Sequence, residues 1–225
     1  MAKKIRAIIT GATGMVGEGV LHECLKHPLI EQVLVVNRKP CGVEHPKLAE
    51  IIHENFYDLA PIEGHLYGYN ACFFCMGVSS IGMDEDKYFK LIHTLAMTFA
   101  RTLVRLDTAM TFCYISGSGT DSTEKGRSMW ARVKGKTEND LAALPFEHEY
   151  NFRPGYMHPT PGLKNTLGMY KYISWLYPIL RKLTPNSVST LAELGKAMIK
   201  AAIIGYPIQT LEVKDILKLA HTEID

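Results

Sequence analysis

Three glycines stand three residues apart in Thr10-Gly11-Ala12-Thr13-Gly14-Met15-Val16-Gly17. A residue without a Cβ can turn tightly out of a strand and let peptide N–H groups come close to a bound group. Where such a turn opens a helix, those N–H groups and the positive end of the helix dipole favour an anion. Gly11 then takes the turn, Gly14 the close approach of backbone to a diphosphate, and Gly17 the tight packing of helix on strand. The N–H groups at the helix start, around Thr13, Met15 and Val16, complete the cradle. A second chemical cluster is Asn37-Arg38-Lys39. An NAD-selective site usually carries Asp or Glu at this place, to hold the ribose hydroxyls. Here a guanidinium beside an ammonium suits a 2′-phosphate, because Arg binds phosphate with paired hydrogen bonds. The expected cofactor is NADP(H) in preference to NAD(H), with NAD(H) still admitted.

The elements that must position these residues follow from the hydrophobic pattern. Lys4 to Thr10 is an Ile-rich run that suits a buried parallel strand. Met15 to Lys26 reads as a helix closed by Pro28, and Gln32 to Val36 as the second strand. Glu50 to His53 and Asn70 to Met76 are the third and fourth strands. Asp86 to Arg105 is one long helix, with an apolar stripe of Tyr88, Leu91, Ile92, Leu95, Phe99 and Leu103. Ala109 to Ile115 and Glu149 to Phe152 are strands flanking a helix near Ser128 to Leu144. This alternation predicts an α/β Rossmann-type, doubly wound parallel sheet with helices on both faces. After Arg153-Pro154-Gly155 the texture changes. Leu167 to Leu183 reads as an apolar helix kinked at Pro178. Thr190 to Glu193 forms a capping box opening a helix to Ile204. Gln209 to Val213 is a late strand before a C-terminal helix.

On the G-x-x-G-x-x-G spacing and its strand–turn–helix setting, the chain resembles the short-chain dehydrogenase/reductase superfamily. It looks most like the extended or atypical branch, which includes sugar-nucleotide epimerase-like and Tat-interacting oxidoreductase-like proteins. The resemblance runs from about Lys4 to Gly155. It implies that Asp58, beside Leu59 in Phe56-Tyr57-Asp58-Leu59, meets the adenine amine, a turn cap being the equal alternative. It implies too that Cys75-Met76-Gly77 passes beside the adenosine ribose. The superfamily's catalysis rests on Ser, Tyr and Lys, the last two in Y-x-x-x-K spacing on one helix face. Lys134 matches that lysine, and Arg153-Pro154-Gly155 follows at the family's distance. Ser116 and Ser118 lie where the serine belongs, Ser118 at the better spacing. The tyrosine position holds Trp130, whose indole N–H donates a hydrogen bond but is no acid near neutral pH. Tyr88, Tyr156, Tyr170 and His158 are in segments that could approach the pocket in its place.

Totals bound the partners. A net charge of +2 on 225 residues gives no charge-based reason for nucleic acid, and no apolar run is long enough to span a bilayer. Cys72-Phe73-Phe74-Cys75 lies in an apolar strand without a second pair, so no metal is expected. Five scattered cysteines and the lack of a signal-length apolar start suggest a cytoplasmic protein. We expect one domain over residues 1–225, with 154–190 as a substrate-covering segment, and a small-molecule substrate. The Tyr88 to Leu103 helix admits a homodimer. Two activities stay open: an oxidoreductase or epimerase-like enzyme with a modified acid, and a dinucleotide-binding regulator or scaffold without hydride chemistry.

Overall fold

The computed structural model describes residues 3–166, 168 and 176–224. Seven parallel strands form the central sheet in the order β3-β2-β1-β4-β5-β6-β9. They are β1 Ile5–Thr10, β2 Ile30–Asn37, β3 Leu48–Ile52, β4 Ala71–Phe74, β5 Thr111–Ile115, β6 His148–Arg153 and β9 Thr210–Glu212. The chain reverses direction across the sheet between β1 and β4, which places a crevice at their carboxyl ends. The expected Rossmann-type α/β fold is therefore present.

Side chains alternate between two cores. Ile5, Ala7 and Ile9 of β1 face one, with α1 (Met15–Lys26), while Ile8 faces the other. Burial on both faces explains why the strands read as continuous apolar runs. The second core packs under α2 (Glu85–Phe89), α3 (Leu95–Leu106) and α4 (Met129–Ala142). The helix expected over Asp86 to Arg105 is divided: Lys90–Thr94 forms a wide π turn between α2 and α3. An apolar stripe tolerates one extra residue in a turn, so periodicity does not reveal it. π turns inside helices often mark functional positions.

Beyond β6 the expectations met less of the structure. A small parallel pair, β7 (Tyr156–His158) with β8 (Val188–Thr190), was not foreseen, because three-residue strands carry no period. Of the helix expected over Leu167 to Leu183, residues 167 and 169–175 lie outside the described residues, and with them Tyr170, Tyr172 and Trp175. The described part, α5 (Tyr177–Leu183), holds Pro178 in its first turn. There a missing N–H costs nothing, and the residues before it that would show the expected kink lie outside the described ones. α6 (Leu191–Ile204) opens on the expected capping box, Thr190 with Glu193, and α7 (Val213–His221) follows β9. Glu18, buried in the first turn of α1, ties down the segment after β7. Its two carboxylate oxygens accept the N–H groups of Lys164 at 2.8 Å and Asn165 at 2.7 Å. Among the described residues, no helix is long and apolar enough to cross a membrane.

The face of β6 toward α4 is polar. Arg153 bonds Glu138 of α4 through Nε at 3.0 Å and through Nη2, and Glu212 at 3.2 Å. A buried pair is tolerated when its remaining donors are used, and Arg153 also gives Nη2 to Ser122 Oγ. Next to this network α4 meets the loop after β5 without a gap. A Cβ built on Gly135 would collide with the carbonyl of Asp121. Gly135→Ala should therefore cost on the order of 1–3 kcal/mol of stability, seen as a lower urea midpoint. Gly64→Ala, where a Cβ meets nothing, should leave the midpoint nearly unmoved.

Candidate functional site

The glycine loop has the geometry its spacing implies. Gly11 sits at φ +72°, and Gly14 N–H closes the turn on Gly11 O at 2.9 Å. A Cβ on Gly11 would lie 2.8 Å from Cys75 O, and one on Gly17 would run into Gly11 O. Gly11 thus makes the turn and touches the end of β4, while Gly17 lets α1 start directly beneath β1. A Cβ on Gly14 would touch only Gly11 O, at 3.4 Å, which leaves its other side open. No side chain caps α1, so peptide nitrogens of its first turn stay available to an anion. Met15 is buried and Val16 packs on the core, so only their backbone can serve a ligand.

Beside the loop a cavity of about 250 Å³ opens at the carboxyl ends of the strands. Gly11, Thr13 and Gly14 form one wall. Asn37 and Arg38 form a second, and Cys75, Met76 and Gly77 a third. Glu54, Phe56, Tyr57, Leu91 and Leu95 also line it and were not anticipated. The last two come from the π turn and the start of α3. Lys39 is exposed beyond the lining. Asp58 accepts Ala60 N–H at 3.0 Å in a local turn, and Leu59 is buried in the second core. Neither is among the cavity residues.

Asn37 faces both inward and toward the cavity. Its Oδ1 accepts Ala12 N–H at 3.1 Å, and both residues are buried. Its Nδ2 lies 3.5 Å from Glu50, whose same oxygen accepts Cys41 N–H at 2.8 Å. Asn37 therefore braces the glycine loop, and Glu50 braces the turn carrying Arg38. Two carboxylates from outside the local sequence approach the end of β2. Glu50 reaches it from β3, and Glu54 shares the cavity with Arg38. Sheet pairing brings these groups together across a gap that local sequence does not bridge.

The second cluster joins the loop after β5 to α4. The Lys134 ammonium donates to the Ser116 carbonyl, and burial brings its pKa down to about 8, against the opposing pull of Glu138. Ser116 is buried and its hydroxyl donates to Phe152 O at 3.2 Å, strapping β5 to β6. Ser118 is exposed, with its N–H fixed on Pro154 O at 2.9 Å. Trp130 packs over Gly119: its indole ring would lie 3.5 Å from a Cβ there. The alternative acids fare differently. Tyr88 is almost fully buried and its hydroxyl is pushed up to about 12. His158 stacks on Tyr177 at 4.2 Å, and burial lowers its pKa. Burial likewise raises Tyr156. Among the described residues, no group of three or more His, Cys, Asp or Glu is placed to hold a metal.

No protein-family model matches the chain. Curated relatives include "Protein fmp52-1, mitochondrial" of Aspergillus terreus, 26% identical over 68% of this chain and 66% of that protein. The protein of the same name from Aspergillus oryzae is 29% identical over 65% of this chain and 63% of its own. The chain thus spans just under two thirds of the length of these relatives. Among solved structures, glucuronic acid dehydrogenase from Chromohalobacter salexigens superposes with a TM-score of 0.67 at 13% identity. That match covers 94% of this chain and 76% of the other. The Bordetella bronchiseptica enzyme WbmF, solved in complex with NAD+, gives 0.63 at 14% identity, covering 99% and 81%. These likenesses show the shared fold. The expected cytoplasmic location is overturned, because the curated relatives are named as mitochondrial proteins. Five unpaired cysteines do not separate cytosol from organelle interior. The basic start of the chain does not separate them either.

Two outcomes follow from this geometry. Asn37→Ala should strand the buried Ala12 N–H at a cost of about 1–3 kcal/mol, read as a drop in melting temperature. The Lys134 shift also carries a pH signature. Its folded pKa lies below the unfolded value, so between about 8 and 10.5 the unfolded chain binds more protons. Stability contributed at this residue should rise with pH across that window, and Lys134→Met should remove the rise in urea titrations.

Proposed function

We propose that the chain binds a nicotinamide dinucleotide and is an oxidoreductase or epimerase-like enzyme of the short-chain dehydrogenase/reductase type, favouring NADP(H). The observation that carries this reading is the uncapped start of α1, opening from Gly11 and Gly14 onto a cavity that Arg38 lines. The fold shared with a uronic acid dehydrogenase and an NAD+-bound enzyme supports it.

The residues present fit such a cofactor. The bare face of Gly14 admits a diphosphate against peptide nitrogens, and Arg38 reaches a 2′-phosphate. Tyr57, half exposed in the cavity wall, offers a face for a flat base, with Leu91 and Leu95 beside it. When bound, the cofactor supplies or accepts hydride. The chain's own part is to orient. Lys134 would hold the nicotinamide ribose, and Ser118, exposed on the loop after β5, would present its hydroxyl to the substrate. The segment after β6 would cover a small-molecule substrate.

Trp130 favours a second reading, a dinucleotide-binding regulator without hydride transfer, because an indole cannot move the proton that a phenol would. Absorbance of NADPH during a screen of carbonyl compounds and sugar nucleotides separates the two. Turnover abolished by Lys134→Ala identifies the enzyme. Tight NADPH binding without turnover, and no rescue by Trp130→Tyr, identifies the regulator.

Cofactor choice rests on the two opposed charges in one cavity. Arg38→Ala should cut the NADPH-over-NADH preference by about tenfold or more. Glu54→Gln should widen it, by removing a carboxylate that suits ribose hydroxyls and repels phosphate. Equal affinity of the unaltered protein for both nucleotides, measured by calorimetry, would sink the preference.

A further inference from the structure

The buried carboxylate of Glu18 brings a distant part of the chain to the first turn of α1. It accepts the N–H groups of Lys164 and Asn165 at 2.8 and 2.7 Å. Leu163, just before them, packs against the first core. So do Cys41 and Val43, in the stretch that follows β2. That stretch opens with Arg38 and Lys39, and Arg38 lines the cavity beside the glycine loop. The two segments are far apart in sequence, yet they share one apolar seat.

The Lys164 side chain bridges them. Gly42 holds a φ of +67°, and a Cβ built on it would lie 4.0 Å from Lys164 Nζ. The backbone of Lys164 is tied to α1, so its ammonium is carried from that helix to the turn of Arg38. Lys164 is half-buried, yet it makes no ion pair among the described residues. Arg38 and Lys39 make none there either. Two carboxylates of the neighbourhood are already engaged by peptide groups. Glu18 holds Lys164 and Asn165, and Glu50 holds Cys41 N–H at 2.8 Å. Three cations without counter-charges thus serve one short turn. Like charges gathered in this way repel, and an anion among them relieves the repulsion.

We propose that Lys164 is a specificity-determining residue of the nucleotide site, joining Arg38 in holding the 2′-phosphate of NADP(H). The inference rests on the nucleotide reading given above. A guanidinium pairs with two phosphate oxygens and leaves the charge on the third to be met. An ammonium on a flexible stem suits that part, because it acts as a point charge and needs no fixed fork. NADH carries only hydroxyls at this position, so it gains little from a second cation. Local sequence around Arg38 does not reveal Lys164, since only the Glu18 clasp brings it there.

Titration calorimetry of the full chain tests it without any turnover. The ligands are NADPH and NADH, with adenosine 2′,5′-bisphosphate and 5′-AMP as fragments that differ only in the 2′-phosphate. Lys164→Met keeps the apolar stem and the peptide groups that Glu18 holds. It should weaken NADPH and the bisphosphate by about tenfold, and NADH and 5′-AMP by less than about twofold. Lys164→Arg, which keeps the charge, should retain the preference. An equal loss for all the ligands in Lys164→Met would overturn the proposal, because it would mark a packing role only. So would an unchanged NADPH-to-NADH ratio in Lys164→Met while Arg38→Ala lowers that ratio. In that case the nucleotide reading stands and Lys164 alone is excluded. Failure of the unaltered protein to bind either dinucleotide would overturn both.

Discussion

The structure depends on one close approach: the backbone of α1 at Gly17 pressed against the carbonyl of Gly11. Only a residue without a Cβ permits it. Because of it, the helix begins immediately beneath the end of β1, and its free N–H groups face the crevice of the sheet. Everything proposed for the cavity inherits that placement. Asn37 secures it from the side by taking the Ala12 N–H, and Glu50 secures Asn37's neighbourhood in turn. The loop is thus fixed by covalent economy at three glycines and by a hydrogen-bond chain across three adjacent strands.

The two faces of the sheet do different work. On the α1 and α6 side the contact is apolar almost throughout. On the α4 side the sheet carries Glu149, Asn151 and Arg153 along β6, against Glu138 and Thr137. Such a buried polar seam is expensive in desolvation and stable only when its bonds are met. It leads from Lys134, one helical turn from Glu138, to Glu149 at the far edge.

What could be read from the residues was whatever is local or periodic. β1 and the glycine turn were legible because an apolar run, three spaced glycines and an amphipathic helix agree with one another. The Thr190 capping box was legible because both its partners lie within four residues. The π turn was not, since Leu91 and Leu95 fit an ordinary stripe equally well. Glu54 and Glu50 were missed because they reach the end of β2 only through strand pairing. Asn37 was assigned to the cofactor, and the structure shows it also bracing the loop. Ser116 and Ser118 look alike in sequence, and burial alone separates them.

The clasp between Glu18 and the peptide groups of Lys164 and Asn165 joins two regions 146 and 147 positions apart along the chain. Its carboxylate sits on the same helical turn that would receive an anion, yet its charge is already engaged by amides on the far side. A tenant in the cradle and the strand of chain beyond β7 thus lean on one short rod of backbone. The placement of that rod therefore sets both the mouth of the cradle and the path of the chain at Lys164 and Asn165.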